Sequence, residues 1–238
     1  MKACLVLPPI RDFYLSPQRL SALGLAALER ILAAEGWETA FFCAPLMAGA
    51  KALPLPPELS YLQGYLIPGE SGPLTWWTGY KHFGPAFESL ARTVLGENPG
   101  VVFLGAFAWA YAEEARQTAR AIKSLSPGTL LVAGGGACAL KPEYFFPSAD
   151  FVWTGEAEPG FARFLKILSR VGTAPQALKN PFLRRELAEI PNLVWEGPES
   201  PSPAGPAFAP GTDLFPALRE MPPRGEGRRF ALSAARGC

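Results

Sequence analysis

The chain has 238 residues, 49% hydrophobic and 18% charged, and its 22 Lys and Arg against 21 Asp and Glu leave a net charge of +1. A sizeable core can be buried, but the concentrated positive charge that a nucleic acid or an anionic membrane surface demands is missing: the longest basic cluster, residues 224–229, is broken by Gly225, Glu226 and Gly227. No apolar run approaches the ~20 residues of a membrane span, and the one after Lys2 is too short for a secretory leader, so a cytoplasmic protein with reduced thiols is expected.

Lys2–Leu7 is a short apolar run ended by Pro8-Pro9 and reads as a buried strand. After a loop over residues 8–15, Ser16 is placed to cap a helix and Pro17 to occupy its first position. Leu20, Leu23, Ala27, Leu28, Ile31 and Leu32 then recur at helical spacing, and Gly36 supplies the left-handed residue that stops the helix. Residues 38–44 predict a second strand. Residues 45–79, rich in Pro and Leu and carrying Trp76 and Trp77, are too long for an ordinary connection and read as a functional segment or lid.

Residues 85–95 predict a helix and residues 100–107 a third buried strand. The helix over 111–125 has Glu113 and Glu114 at its positive end and Arg120 and Lys123 near its negative end. A fourth strand, 129–133, runs into Gly134-Gly135-Gly136. A short fifth strand, 150–153, precedes Gly155-Glu156-Ala157-Glu158-Pro159-Gly160 and a helix over 161–169. Beyond residue 172 the composition turns to Pro, Gly and Ser. Residues 173–227 predict a linker unable to fold alone, within which 192–196 can form a small strand. Residues 228–234 predict the first strand of a second domain, which reads as incomplete because an isolated strand needs neighbours.

Alternating strands and helices, with strands that are continuous apolar runs, predict an α/β fold: a doubly wound, five-stranded parallel sheet over residues 1–172, flavodoxin-like in the order 2-1-3-4-5. Ligands of such sheets sit at the carboxyl ends of the strands, where strand order reverses. Four loops meet there. The first carries Arg11, Asp12, Phe13 and Tyr14, which suit either a local salt bridge and turn or a ligand. The second holds Gly105, Ala106 and Phe107. The third, Gly134, Gly135 and Gly136, serves either a tight turn or close approach of a ligand to bare backbone. In the fourth, Gly155, Glu156, Ala157 and Glu158, the carboxylates suit either the helix dipole or a ligand hydroxyl or amide. No dinucleotide fingerprint follows the first strand and no Gly-Lys-Ser/Thr follows the glycines, which argues against phosphate-dominated binding and against a sugar-nucleotide transferase. His82 reads as a satisfied histidine, far in sequence from the first loop.

Several of these motifs together resemble a known family. They are the strand ending in Pro8-Pro9, Ser16-Pro17, Leu23-Gly24-Leu25, Ala133-Gly134-Gly135-Gly136, Thr154-Gly155-Glu156-Ala157-Glu158, Ile190-Pro191-Asn192-Leu193-Val194-Trp195, and Ala235-Arg236-Gly237-Cys238. In order and spacing they are similar to cobalamin-binding domains fused to radical S-adenosylmethionine enzymes, with Ala157 where the family has a second glycine. The resemblance implies a corrinoid as ligand, its nucleotide tail lodged between sheet and helices against the four loops. It also implies a C-terminal barrel, of which residues 228–238 would be the start. Cys238 would be the first thiolate of a Cys-x-x-x-Cys-x-x-Cys motif, so the [4Fe–4S] cluster and S-adenosylmethionine would belong to the full-length parent only. The parent would be a methyltransferase or related radical enzyme, and this chain alone would be catalytically incomplete. Asp12 is followed by Phe13, Tyr14 and Leu15, so no histidine of this loop is expected on cobalt. The competing expectation is a non-catalytic flavodoxin-like binding or regulatory module without corrinoid.

Overall fold

A computed structural model describes residues 1–13, 22–66 and 79–201. Tyr14, the Ser16–Pro17 helix start, Trp76, Trp77, the strand expected at 228–234 and Cys238 lie outside these residues. The first strand, β1 (Lys2–Leu7), has five of its six residues buried, as an uninterrupted apolar run covered on both faces should. It is followed by β2 (Ile10–Asp12), α1 (Leu23–Ala34) and β3 (Glu38–Cys43). Next come β4 (Ala50–Ala52), β5 (Lys81–Phe83), α2 (Phe87–Gly96), β6 (Val101–Gly105) and α3 (Ala112–Leu125). The remainder is β7 (Leu130–Gly134), α4 (Gly136–Leu140), β8 (Phe151–Trp153), α5 (Glu158–Val171), α6 (Pro181–Ala188) and β9 (Leu193–Val194).

The main sheet runs β3-β1-β6-β7-β8-β9. Its first five strands are parallel and realise the expected 2-1-3-4-5 order. It differs from the expectation at its edge, where a sixth strand, β9, pairs antiparallel to β8 through Val152–Val194 and Trp153–Leu193. A second sheet, β2-β5-β4, is antiparallel and was not foreseen.

Alternation along β1 sorts the two core layers. Ala3, Leu5 and Leu7 face α1, α5 and α6 through Leu25, Leu32, Phe161, Phe164 and Leu187. Cys4 and Val6 face α2 and α3 through Leu90, Val94, Ala115, Ala119 and Ile122. Burial pushes the Cys4 thiol up to about 11, so this cysteine behaves as a small apolar core residue.

The described part of the segment read as a linker carries structure as far as residue 201. Leu178, Leu183, Leu187, Ile190, Leu193, Val194 and Trp195 are all buried. Asn180 caps α6, its Oδ1 accepting the Phe182 N–H at 2.9 Å. The apolar residues here are sparse but fall at positions that close the β8 edge, and that placement outweighs the Pro- and Gly-rich average.

One polar group pins strand spacing. Asp150 Oδ2 accepts the Leu131 N–H at 2.8 Å and Lys123 Nζ at 2.5 Å. Asp150→Ala would take this acceptor from the Leu131 N–H and the charge partner from Lys123, whose Nζ keeps the Thr129 oxygen at 2.8 Å, and is expected to cost about 1–3 kcal/mol in urea unfolding.

Candidate functional site: the roofed edge of the sheet

Strand order reverses at β1, which has β3 on one side and β6 on the other. At its carboxyl end the chain does not open into a free loop. Pro8 and Pro9 lead into β2, and the small antiparallel sheet forms a roof there. Ile10 and Phe83 are buried with Tyr111, and Phe107 and Ala108 from the turn after β6 pack against them. Close approach of the roof is visible at Gly84, where an added Cβ would lie 2.7 Å from the Ala44 carbonyl oxygen.

Two consecutive β2 residues tie this roof to α3 and to the residue just before it. Arg11 Nη2 donates to Gln117 Oε1 at 3.0 Å, and its Nε lies 4.0 Å from Glu114 Oε1. The Tyr111 hydroxyl donates to Asp12 Oδ2. Arg11 also lies over the Phe87 ring, 5.2 Å from its centroid. Its cross-strand neighbour His82 meets the same ring edge-on at 5.5 Å, with Nε2 3.1 Å from the Pro85 oxygen. Phe13 packs on Tyr80, ring centroids 5.1 Å apart. Glu114, only 5% exposed, is the one buried carboxylate among the described residues. Burial, outweighing its own amide and Arg11, holds its pKa above the ordinary glutamate value. At neighbouring Glu113 burial also pushes upward, but hydrogen bonds from Tyr144 and Gln117 and the Arg116 charge outweigh it, and the pKa is lowered.

The glycine loops serve the chain's own packing. Gly135 has φ +115°, and a Cβ there would stand 2.6 Å from the Ala106 carbonyl oxygen. A Cβ at Gly136 would stand 2.8 Å from the Phe107 oxygen. The two loops are stitched by Ala106 N–H to Gly134 O at 2.6 Å and Ala137 N–H to Ala106 O at 2.9 Å. Gly105 makes room for Leu25 of α1, whose Cδ1 would lie 3.2 Å from an added Cβ, and Gly134 lies against Trp153. Gly155 accommodates the Asn192 side chain, 2.8 Å from a Cβ, and Gly160 accommodates Ile190 at 2.6 Å.

The Gly155–Glu158 turn and the Ile190–Trp195 segment are therefore one structural unit. The Thr154 N–H donates to the Asn192 oxygen at 2.8 Å, and Asn192 Nδ2 donates to the Glu156 oxygen at 2.8 Å. Glu158 opens α5, where its charge suits the helix dipole. Ala157 takes φ −84°, ψ −28°, right-handed backbone that needs no glycine.

A nucleotide tail between sheet and helices needs open space beside small rim residues. The Gly105 side is filled by Leu25, and Trp153 is 3% exposed against Phe161 and Phe164, with ring centroids 5.7 and 5.6 Å away. The bare backbone of Gly135 and Gly136 is covered by the turn after β6. Among the described residues, this part of the rim is filled by the chain's own side chains and backbone. No group of three or more His, Cys, Asp or Glu among them sits where it could hold a metal ion.

The structure thus brings Arg11, Asp12 and Phe13 together with a cluster that local sequence did not signal: Tyr80, His82, Tyr111, Glu114 and Gln117. It joins Gly105, Ala106 and Phe107 to Gly134, Gly135 and Gly136, and it sets Gly155, Glu156, Ala157 and Glu158 on the β9 edge. Glu114 carried one usable hint, an acid in the first turn of a strongly amphipathic helix. No family model matches the chain, and no curated protein matches it. No helix among the described residues is long and apolar enough to cross a membrane.

Proposed function

We propose that the chain is a flavodoxin-like binding and regulatory module of the radical S-adenosylmethionine class that its motifs resemble, working without a corrinoid lodged in the sheet. The observation that carries this reading is the closure of the rim, where the backbone of Ala106 and Phe107 occupies the space that Gly135 and Gly136 leave open. The module's polar chemistry then lies under the roof, at Arg11, Asp12, Tyr80, Tyr111 and Glu114, rather than in the glycine loops. Its partner in this reading is a radical S-adenosylmethionine barrel that holds the [4Fe–4S] cluster, with Cys238 as a ligand.

A second reading, the corrinoid carrier, is favoured by one specific observation: the parallel order β3-β1-β6-β7-β8 with its switch point at β1. Mixing the purified chain with hydroxocobalamin and desalting separates the two. The protein fraction is expected to be colourless, with all visible corrinoid absorption in the salt fraction. Retention of one corrinoid per chain would replace the first reading with the second.

A further inference from the structure

The short Trp109–Tyr111 turn after β6 lies against α4, and the two are joined by the Ala137 N–H donating to the Ala106 oxygen at 2.9 Å. The Trp109 ring packs on Tyr144, centroids 5.2 Å apart. Trp109 nevertheless stays 43% exposed, and Leu140, at the end of α4, is 68% exposed. Their chain neighbours Ala110 and Ala139 are exposed too. A single apolar residue in water is ordinary, but a tryptophan and a leucine exposed on adjoining elements form a patch of the kind that a partner covers.

The charges beside the patch indicate which partner. Around Tyr144 the polar groups are already engaged: its hydroxyl donates to Glu113 Oε2 at 2.5 Å, and Arg116 lies over its ring at 4.3 Å while pairing with Glu113 at 2.7 Å. Lys141 and Glu143, either side of Pro142 and directly after Leu140, are exposed, and neither side chain makes a hydrogen bond or ion pair with another described residue. The rim of the patch thus offers one unengaged cation and one unengaged anion two residues apart. The surface complementary to such a rim is the same surface turned through a two-fold axis, where the cation of each copy meets the anion of the other. A partner of a single charge sign would set a like charge against either Lys141 or Glu143.

We propose that two copies of the chain associate through this patch as an isologous dimer, with Trp109 and Leu140 at the centre and Lys141 facing Glu143 of the partner subunit. A contact centred on two large side chains lies at the small end of specific interfaces, so the dimer is in exchange with monomer at micromolar concentrations. The contact goes beyond the binding reading above and is independent of whether the module carries a corrinoid.

The test is sedimentation equilibrium of the full chain across about 1–200 µM, where a monomer–dimer transition centred at about 10–50 µM is expected. Leu140→Lys places a charge at the centre of the patch and should leave the chain monomeric over this range. Lys141→Glu and Glu143→Lys each make the rim single-signed, and each should weaken self-association about tenfold. An equimolar mixture of these two variants should associate again, as a heterodimer at least as tight as the native dimer, because one rim is then wholly acidic and the other wholly basic. That rescue is beyond the reach of a variant that merely misfolds, so it carries the test even if Leu140→Lys fails to fold. A chain that stays monomeric up to about 200 µM overturns the proposal, whatever else covers the patch. Open-ended association overturns it as well, since a two-fold contact closes at two copies. So does a dimer that Leu140→Lys leaves intact, or a mixture of the two rim variants that associates no better than either alone.

Discussion

Gly135→Ala is expected to destabilise the chain by about 3 kcal/mol, measured as the shift in urea unfolding at constant m. Two costs combine. The backbone at φ +115°, ψ −179° belongs to a region that essentially only glycine occupies. The added Cβ would also stand 2.6 Å from the Ala106 carbonyl oxygen, which is backbone and cannot swing aside. The sequence left two purposes open for this glycine, a tight turn or the approach of a ligand to bare backbone. The clash with Ala106 is what distinguishes them, because a glycine of the same backbone facing an open binding slot would carry only the conformational cost and lose less. Gly128, with nothing within 4 Å of a Cβ, is the control: Gly128→Ala should move stability by about 0.5 kcal/mol or less.

Leu187→Ala is expected to cost about 2–5 kcal/mol, as for any fully buried core leucine. Leu187 is 0% exposed and lies in the layer that joins α6 to Phe164, Leu165 and Trp195. Phe182, on the same helix but 81% exposed, supplies the contrast, and Phe182→Ala should change stability by less than about 0.5 kcal/mol. If residues 173–201 were a passive linker, the two substitutions would be equally silent. Parallel urea titrations of the two variants decide the point.

The parallel strands other than β3, which opens on Glu38 and Thr39, were legible because each is a mostly apolar run bounded by Pro, Gly or a helix-capping pattern. β6 (VVFLG) and β7 (LLVAG) are buried on both faces, so composition alone identifies them. The roof was not legible for the opposite reason. Its strands are three residues each, and Ile10 pairs with Phe83 across more than 70 positions of sequence. No local period announces so distant a pairing. The segment 45–79 stands out by its length, but nothing in its Pro- and Leu-rich composition marks Ala50–Ala52 as a strand.

β9 shows how an average can mislead. The small strand read at 192–196 is there as Leu193–Val194, but the Pro-rich average around it hid its place in the sheet, where Asn192 at φ +62° turns the chain onto β8 and ties it to the Glu156 carbonyl. Gly155–Glu158 and Ile190–Trp195, two of the motifs that carry the resemblance, are two sides of one packed corner. The candidate site was legible in part. Topology placed Arg11 and Asp12 at the switch point. The acid beneath them, Glu114, reads in the sequence only as a charge at the positive end of a helix. A carboxylate in the first turn of a helix has that role by default, and only the distant fold of β2 across α3 buries it.

The most direct test of the closed rim is a crystal structure of the chain grown with excess hydroxocobalamin. The expected result is Leu25 seated on Gly105, the Ala106–Phe107 backbone covering Gly135 and Gly136, and no corrinoid density at the sheet edge. A benzimidazole ring lying between α1 or α5 and the strands, with Leu25 displaced, would contradict it.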